Sequence, residues 1–259
     1  MLRRWRLVVS ASCIAAAVVA LAALLPSSAR HRASPTVAHA AGVHHAAVAQ
    51  RVVLGRSVEG RPIEAWRTGP PAARAQILVV GCIHGNEPAG EAVARHLPAA
   101  LEARSIPAWV IPSLNPDGNA RDTRQNAHGV DLNRNFPYRW RPLGRRGDLQ
   151  YSGPRALSEP ESRIADSLIL AARPRITIWF HQPLGVVDDS SGSRSVEARF
   201  SRLTGLPLRS LTRYPGSAMG WQNHAVPGST AFVVELRAGP LPGNEVTRLL
   251  HAIVSVAVR

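Results

Sequence analysis

Apolar runs at residues 62–67, 76–83, 108–114, 175–181 and 231–237 read as strands, and several of them are too continuous for a sheet with one wet face. Such strands need cover on both sides. Between them, residues 88–102, 159–172, 194–204 and 243–257 place apolar side chains at helical spacing, and Ser158 with Glu161 has the spacing of a capping box ahead of the second of these helices. The alternation predicts an α/β fold, a three-layer sandwich whose mixed, mostly parallel central sheet is flanked by helices. Residues 115–158 break the pattern, being rich in Asn, Asp, Gly, Pro and Arg. So long a connection inside a compact domain is expected to serve a site.

The N-terminus has Arg3, Arg4 and Arg6, an uncharged stretch from Leu7 to Leu25, then Pro26-Ser27-Ser28-Ala29. This is the order of a signal peptide, and the stretch is also long enough for a membrane anchor. Residues 1–29 are therefore expected to export or tether the chain, with 30–50 as a flexible linker and 51–259 as one catalytic domain. The expected address is extracellular or in the cell envelope, either secreted or tethered through residues 7–25. Linker histidines His31, His39, His44 and His45 receive no site. Beyond the leader, which contains Cys13, Cys82 is the one cysteine, so the mature chain has no internal disulfide. The formal charge is +14 and every basic side chain other than histidine is Arg, which fits attraction to anionic envelope material and general solubility equally. No aromatic-basic module points to nucleic acid.

In open α/β sheets, functional groups gather beyond the carboxyl ends of strands. His84 follows one apolar run, Asn115 another, His181 ends a third and Glu235 lies near the end of a fourth. His84-Gly85-Asn86-Glu87 puts an imidazole and a carboxylate three residues apart on a glycine-rich turn, with Pro88 suited to the first turn of a following helix. Both are zinc ligands, and a catalytic zinc usually takes a third protein ligand from elsewhere. The pair alone also reads as an incidental His before a helix-start Glu. A nearby thiolate at Cys82 would compete as a ligand if exposed.

The ordered set His84-Gly85-Asn86-Glu87, Asn115-Pro116-Asp117-Gly118, Arg121-Asp122-Thr123-Arg124, Gly129-Val130-Asp131-Leu132-Asn133-Arg134-Asn135, Phe180-His181-Gln182-Pro183 and Val234-Glu235-Leu236-Arg237 resembles the zinc carboxypeptidase family. It is most similar to that family's bacterial murein peptide amidase branch, and the likeness runs from about Arg51 to the C-terminus. The resemblance implies one zinc ion held by His84, Glu87 and His181. Glu235 would be the general base, with a salt bridge to Arg237 as its alternative role. Arg121 would stabilise the oxyanion, with Arg124 as a weaker candidate. Asn133 and Arg134 would receive the substrate's terminal carboxylate, and Tyr214 would cover the substrate, with packing as the competing role.

The resemblance implies a metallopeptidase cutting an amide bond near a free C-terminal carboxylate, on a peptide substrate from the cell wall. In the murein amidase branch the bond is γ-D-glutamyl-diaminopimelate. The compact mature region and Gln182-Pro183 after the histidine favour that branch over the digestive enzymes. Ala218-Met219 offers no acidic selector for a basic substrate end. Two rivals stand beside it: an N-acyl amino acid deacylase resembling succinylglutamate desuccinylase or aspartoacylase, and an inactive envelope protein that only binds peptides.

Overall fold

The computed structural model describes residues 49–189 and 192–258, so the expected leader and almost all of the linker lie outside the described residues. Gln50, placed in the linker by sequence, instead opens the first strand. The strands are β1 (Gln50–Arg56), β2 (Pro62–Thr68), β3 (Ile77–Val80), β4 (Ala108–Ile111), β5 (Ile176–His181), β6 (Leu184–Asp188), β7 (Leu208–Arg209) and β8 (Thr230–Arg237). The helices are α1 (Ala89–Glu102), α2 (Pro116–Arg121), α3 (Pro160–Ala172), α4 (Arg194–Thr204), α5 (Ala218–Ala225) and α6 (Gly243–Ala257).

One mixed sheet carries all of these strands in the order β1-β2-β4-β3-β5-β8-β6-β7. Its centre, β4-β3-β5-β8, is parallel, while β1, β2 and β6 join antiparallel neighbours. Every residue of β3 and β5 is buried. Because successive side chains leave a strand on opposite faces, each central strand feeds two cores. Ile77, Val79, Ile178, Phe180, Phe232 and Val234 pack on one face with α1, Phe200 of α4 and α6. Leu78, Val80, Trp179, Ala231 and Val233 pack on the other with α3, α5, Leu132 and Phe136. The three-layer sandwich expected from the continuous apolar runs is the one observed.

The capping box does not form. The residue preceding α3 is Glu159, with no side-chain cap bond. Ser158 Oγ donates to Glu159 Oε1 at 2.6 Å, and Glu161 turns inward to accept from the Val58 N–H and from Asn126 Nδ2. Glu161 thereby ties the start of α3 to the β1–β2 turn and to the long loop. That loop contains α2 and a single 3-10 turn, Leu132–Arg134. Its asparagines order it: Asn135 Nδ2 reaches Ser152 O, Arg155 O and Ser158 Oγ within 3.0 Å. Buried amides spanning a loop leave few backbone groups unpaired.

Candidate metal centre

The turn after β3 is closed by the Glu87 N–H donating to His84 O at 2.9 Å, which sets both side chains toward the C-terminal end of β5. Gly85 is required by proximity rather than by φ: a Cβ there would lie 2.0 Å from the Gly118 carbonyl carbon of α2. The turn and α2 therefore touch through backbone. His84 Nδ1 lies 3.0 Å from Glu87 Oε2 and 3.0 Å from His181 Nδ1, and His181 Nδ1 lies 2.9 Å from Glu87 Oε2. Among the described residues, this trio is the group of His, Cys, Asp and Glu side chains that could hold a metal ion.

The trio fits zinc by its chemistry. Its three donor atoms are all buried, and their spacing suits a small ion with bonds of about 2.0–2.2 Å. His84 Nε2 donates to Asp131 Oδ1 at 3.0 Å, which leaves the Nδ1 lone pair facing the other two donors. Burial opposes charge on Glu87, but its bonds to His181 and His84 hold the carboxyl well below the usual range, so it is an anionic ligand. Burial also opposes charge on His84, and Asp131 and Glu87 outweigh it, raising its pKa. His181 is lowered by its burial, against the pull of Glu87, which keeps a neutral imidazole available. Cys82 does not compete: its thiol is buried, donates to His84 O at 3.0 Å, and is pushed up to about 12 by desolvation.

Asp131 is the hub that sequence reading passed over, although it stands two residues before Asn133. Fully buried, it accepts from His84 and from the Asn133 N–H at 2.9 Å through Oδ1, and from Arg124 Nε at 3.1 Å through Oδ2. Burial opposes its ionisation, and His84 and Arg124 hold it far below the ordinary aspartate value. Gln182 is a second hub. Its N–H donates to Glu87 Oε2 at 3.2 Å, its Oε1 accepts from the Ala89 N–H at 3.0 Å, and its Nε2 donates to Arg237 O and Gly239 O at 2.7 and 2.9 Å. It was noticed in sequence only as a departure from the digestive enzymes.

Arg121 does not reach the site. It ends α2, its side chain is 49% exposed, and it pairs with Glu59. Asp122, left-handed at φ 53°, then turns the chain so that Arg124 enters the cavity and places Nη1 2.9 Å from Glu87 Oε1. Asn115 holds both parts, accepting from the Gly118 N–H and donating to Arg124 O. Of the two arginines, Arg124 is the one the structure brings to the cavity.

A cavity of about 410 Å³ joins His84, Glu87, Arg124, Asn133, Arg134, His181, Tyr214 and Glu235. Glu235 stands beside His181 in the β5–β8 register, and accepts weakly from the Leu184 N–H at 3.5 Å. No ion pair joins it to Arg237 among the described residues. Burial first and Glu87 second raise its pKa to about 7, the range suited to proton transfer near neutrality. Asn133 Oδ1 accepts from the Ala218 N–H at 2.9 Å, and its Nδ2 faces His181 Nε2 at 3.4 Å. Arg134 is 3% exposed, and its guanidinium lies 3.9 Å under the Tyr214 ring. Among the described residues its buried Nε has no hydrogen-bond partner, and burial lowers its pKa. Such a cation calls for an anion.

A model of the family described as zinc carboxypeptidase matches residues 39–183. Murein peptide amidase A of Escherichia coli (strain K12) is 32% identical over 180 residues, covering 64% of this chain and 74% of that protein. Murein peptide amidase A of Vibrio campbellii is 33% identical over 182 residues, covering 65% and 73%. The crystal structure of murein-tripeptide amidase from Escherichia coli O157 superposes with a TM-score of 0.61 at 27% identity, over 81% of this chain and 97% of that one. Carboxypeptidase A from Helicoverpa armigera shares the fold, with a TM-score of 0.71 at 19% identity over 82% and 68%. With more than half its length matched by the family model, this chain belongs to the zinc carboxypeptidase family.

Proposed function

We propose that this family hydrolase cuts an amide bond near a free C-terminal carboxylate, and that its substrate is a peptidoglycan peptide cut between γ-D-glutamate and diaminopimelate. The observation that carries the reading is Arg134, a buried guanidinium with an unpartnered Nε in the wall of the cavity that also holds the His84-Glu87-His181 trio. A planar guanidinium takes a carboxylate through two parallel bonds, and Asn133 stands beside it to orient that group. The similarity to murein peptide amidases favours the cell-wall peptide as the source.

Zinc held by His84, Glu87 and His181 would supply Lewis acidity, polarising a carbonyl and making water acidic enough to lose a proton near neutral pH. Glu235 takes that proton and returns it to the departing amine, a task its raised pKa suits. Arg124 faces the carbonyl oxygen as negative charge develops there. Tyr214, 39% exposed and stacked over Arg134, covers the bound end of the substrate. Arg3, Arg4, Arg6 and the apolar stretch after them support export, by secretion or by tethering.

Zinc-loaded protein and its Glu235→Gln variant are to be assayed on γ-D-glutamyl-diaminopimelate peptides, ordinary peptides and N-acyl amino acids. Cleavage of the first group, lost in the variant, is expected. Turnover of only the N-acyl amino acids would replace this reading with a deacylase, and turnover of none of the three would leave a peptide binder.

A further inference from the structure

A cavity of about 780 Å³ opens at the end of the sheet away from the metal centre. Ile176 and Thr230, which line it, are register partners at the starts of β5 and β8, whereas His181 and Glu235 pair at the far end of the same two strands. At about 3.3 Å per strand residue, roughly 16 Å separates the two rows, so a ligand here is out of reach of the metal trio. The lining holds Arg175, Arg199 and Arg202 and no acidic side chain. Elsewhere on the surface, Arg51, Arg61, Arg95, Arg121 and Arg194 each meet a carboxylate. Among the described residues Arg199 and Arg202 have no ion-pair partner, and Arg199 Nη1 is buried without a hydrogen bond. Uncompensated guanidinium groups in a cavity wall call for an anion.

The sequence of α4 builds one side of this cavity. Ser195, Arg199 and Arg202 stand four and three residues apart, which sets them in one stripe of the helix. Val196 and Leu203 lie beside that stripe and, with Ile176 and Val256, give the cavity an apolar floor. The other side is fixed by backbone and side chain together, since the Thr230 N–H donates to Arg175 O at 2.8 Å and Arg175 Nη1 donates to Gln76 Oε1 at 3.0 Å. Ser193 Oγ and Ser195 Oγ lie 3.0 Å apart at the edge, and one bond between two hydroxyls leaves one of their protons to donate elsewhere.

We propose that this cavity binds the phosphate group of an organic phosphate ester. Guanidinium forks and a hydroxyl converging from two sides offer more donors than the two oxygens of a carboxylate can use, while a phosphate presents additional oxygens and up to two charges. The cavity exceeds what one inorganic phosphate fills, and its apolar floor takes the carbon part of an ester. The site is separate from the hydrolytic one. A phosphate-bearing component held here leaves the metal cavity, at the opposite end of the sheet, open to a second molecule.

The test titrates the zinc-loaded full chain calorimetrically with glycerol 1-phosphate, inorganic phosphate and acetate. Glycerol 1-phosphate should bind saturably, at least as tightly as inorganic phosphate and about tenfold or more above acetate, on the scale of hydrogen bonds to charged groups. Arg199→Gln and Arg202→Gln together should weaken it about tenfold or more, with the thermal unfolding midpoint unchanged. The Arg199→Lys/Arg202→Lys pair should retain part of the affinity, since charge remains. Arg134→Gln should leave this binding intact. Sedimentation with phosphatidylglycerol and phosphatidylcholine vesicles identifies the carrier: a surplus on phosphatidylglycerol that the glutamine pair abolishes supports the site with a lipid headgroup in it, and no surplus beside positive calorimetry supports it with a soluble ester. Acetate binding as tightly as glycerol 1-phosphate overturns the phosphate assignment. Binding lost in Arg134→Gln and kept in the glutamine pair places the anion in the metal cavity and overturns the site, as does no binding of either phosphate.

Discussion

His84 Nε2 and Asp131 Oδ1 stand 3.0 Å apart, both side chains buried, and the same carboxylate binds the Asn133 N–H and Arg124. One aspartate thus aims an expected metal ligand, the loop that carries Asn133 and Arg134, and the arginine of the cavity. Asp131→Asn keeps the volume but loses the anion that fixes His84's ring. Zinc affinity, read by competition with a chromophoric chelator, should fall about 10–100-fold, the usual cost of losing a carboxylate behind a metal-bound histidine. Unchanged affinity would show that the contact only fills space.

Arg124 and Arg121 separate by experiment as they do in space. Arg124→Ala should lower kcat/KM by roughly 10²–10³, the scale seen when a donor to a developing oxyanion is removed. Arg121→Ala removes a half-exposed pair with Glu59 and should leave kcat/KM within about twofold, since exposed ion pairs contribute ~1 kcal/mol or less to stability. The reverse ranking would return the role to Arg121.

These two arginines also mark where sequence legibility ends. β3, β5 and β8 could be read because central parallel strands bury both faces and carry unbroken apolar runs. β1, β6 and α5 could not: β1 is an edge strand with mixed exposure, and the other two are short. The metal trio was legible from its motifs, as was the long loop's service to a site. Whether Arg121 or Arg124 entered the cavity depended on a left-handed Asp122, which no periodicity announces. Glu161 misled for a similar reason, having the spacing of a cap while its burial served Val58 and Asn126.

Gln182 connects three pieces of chain that must agree for the site to exist: the start of α1, the Glu87 carboxylate, and the backbone after Glu235. Gln182→Ala removes the side-chain bonds and leaves the Ala89 N–H without its acceptor. The expected loss is about 1–3 kcal/mol of unfolding free energy by urea titration, together with weaker zinc binding. Gln182→Glu restores the acceptor for Ala89 but sets a carboxylate against two carbonyls, so it should rescue only part of the stability. Full stability in the alanine variant would show that the neighbouring strands hold the site without this side chain.

Glu197 supplies a pH test remote from the metal trio. It is buried in α4, its Oε1 accepts from the Gly192 N–H at 3.0 Å, and its Oε2 has no hydrogen-bond partner among the described residues. Burial raises its pKa to about 7; the Gly192 bond opposes the rise, while Asp188 and Asp189 add to it. An acid with a folded pKa above its unfolded value near 4.5 binds more protons when folded. Its contribution to stability is therefore fully present below pH 4.5, declines as pH rises toward 7, and is gone above that. Glu197→Gln keeps the Oε1 acceptor and cannot ionise. At pH 8 the variant should be more stable than the parent by up to about 3 kcal/mol, with the difference shrinking toward zero near pH 4.5. Urea unfolding across that range reads the slope directly. Parallel pH profiles for the two proteins would mean that Glu197 ionises in the fold at little cost.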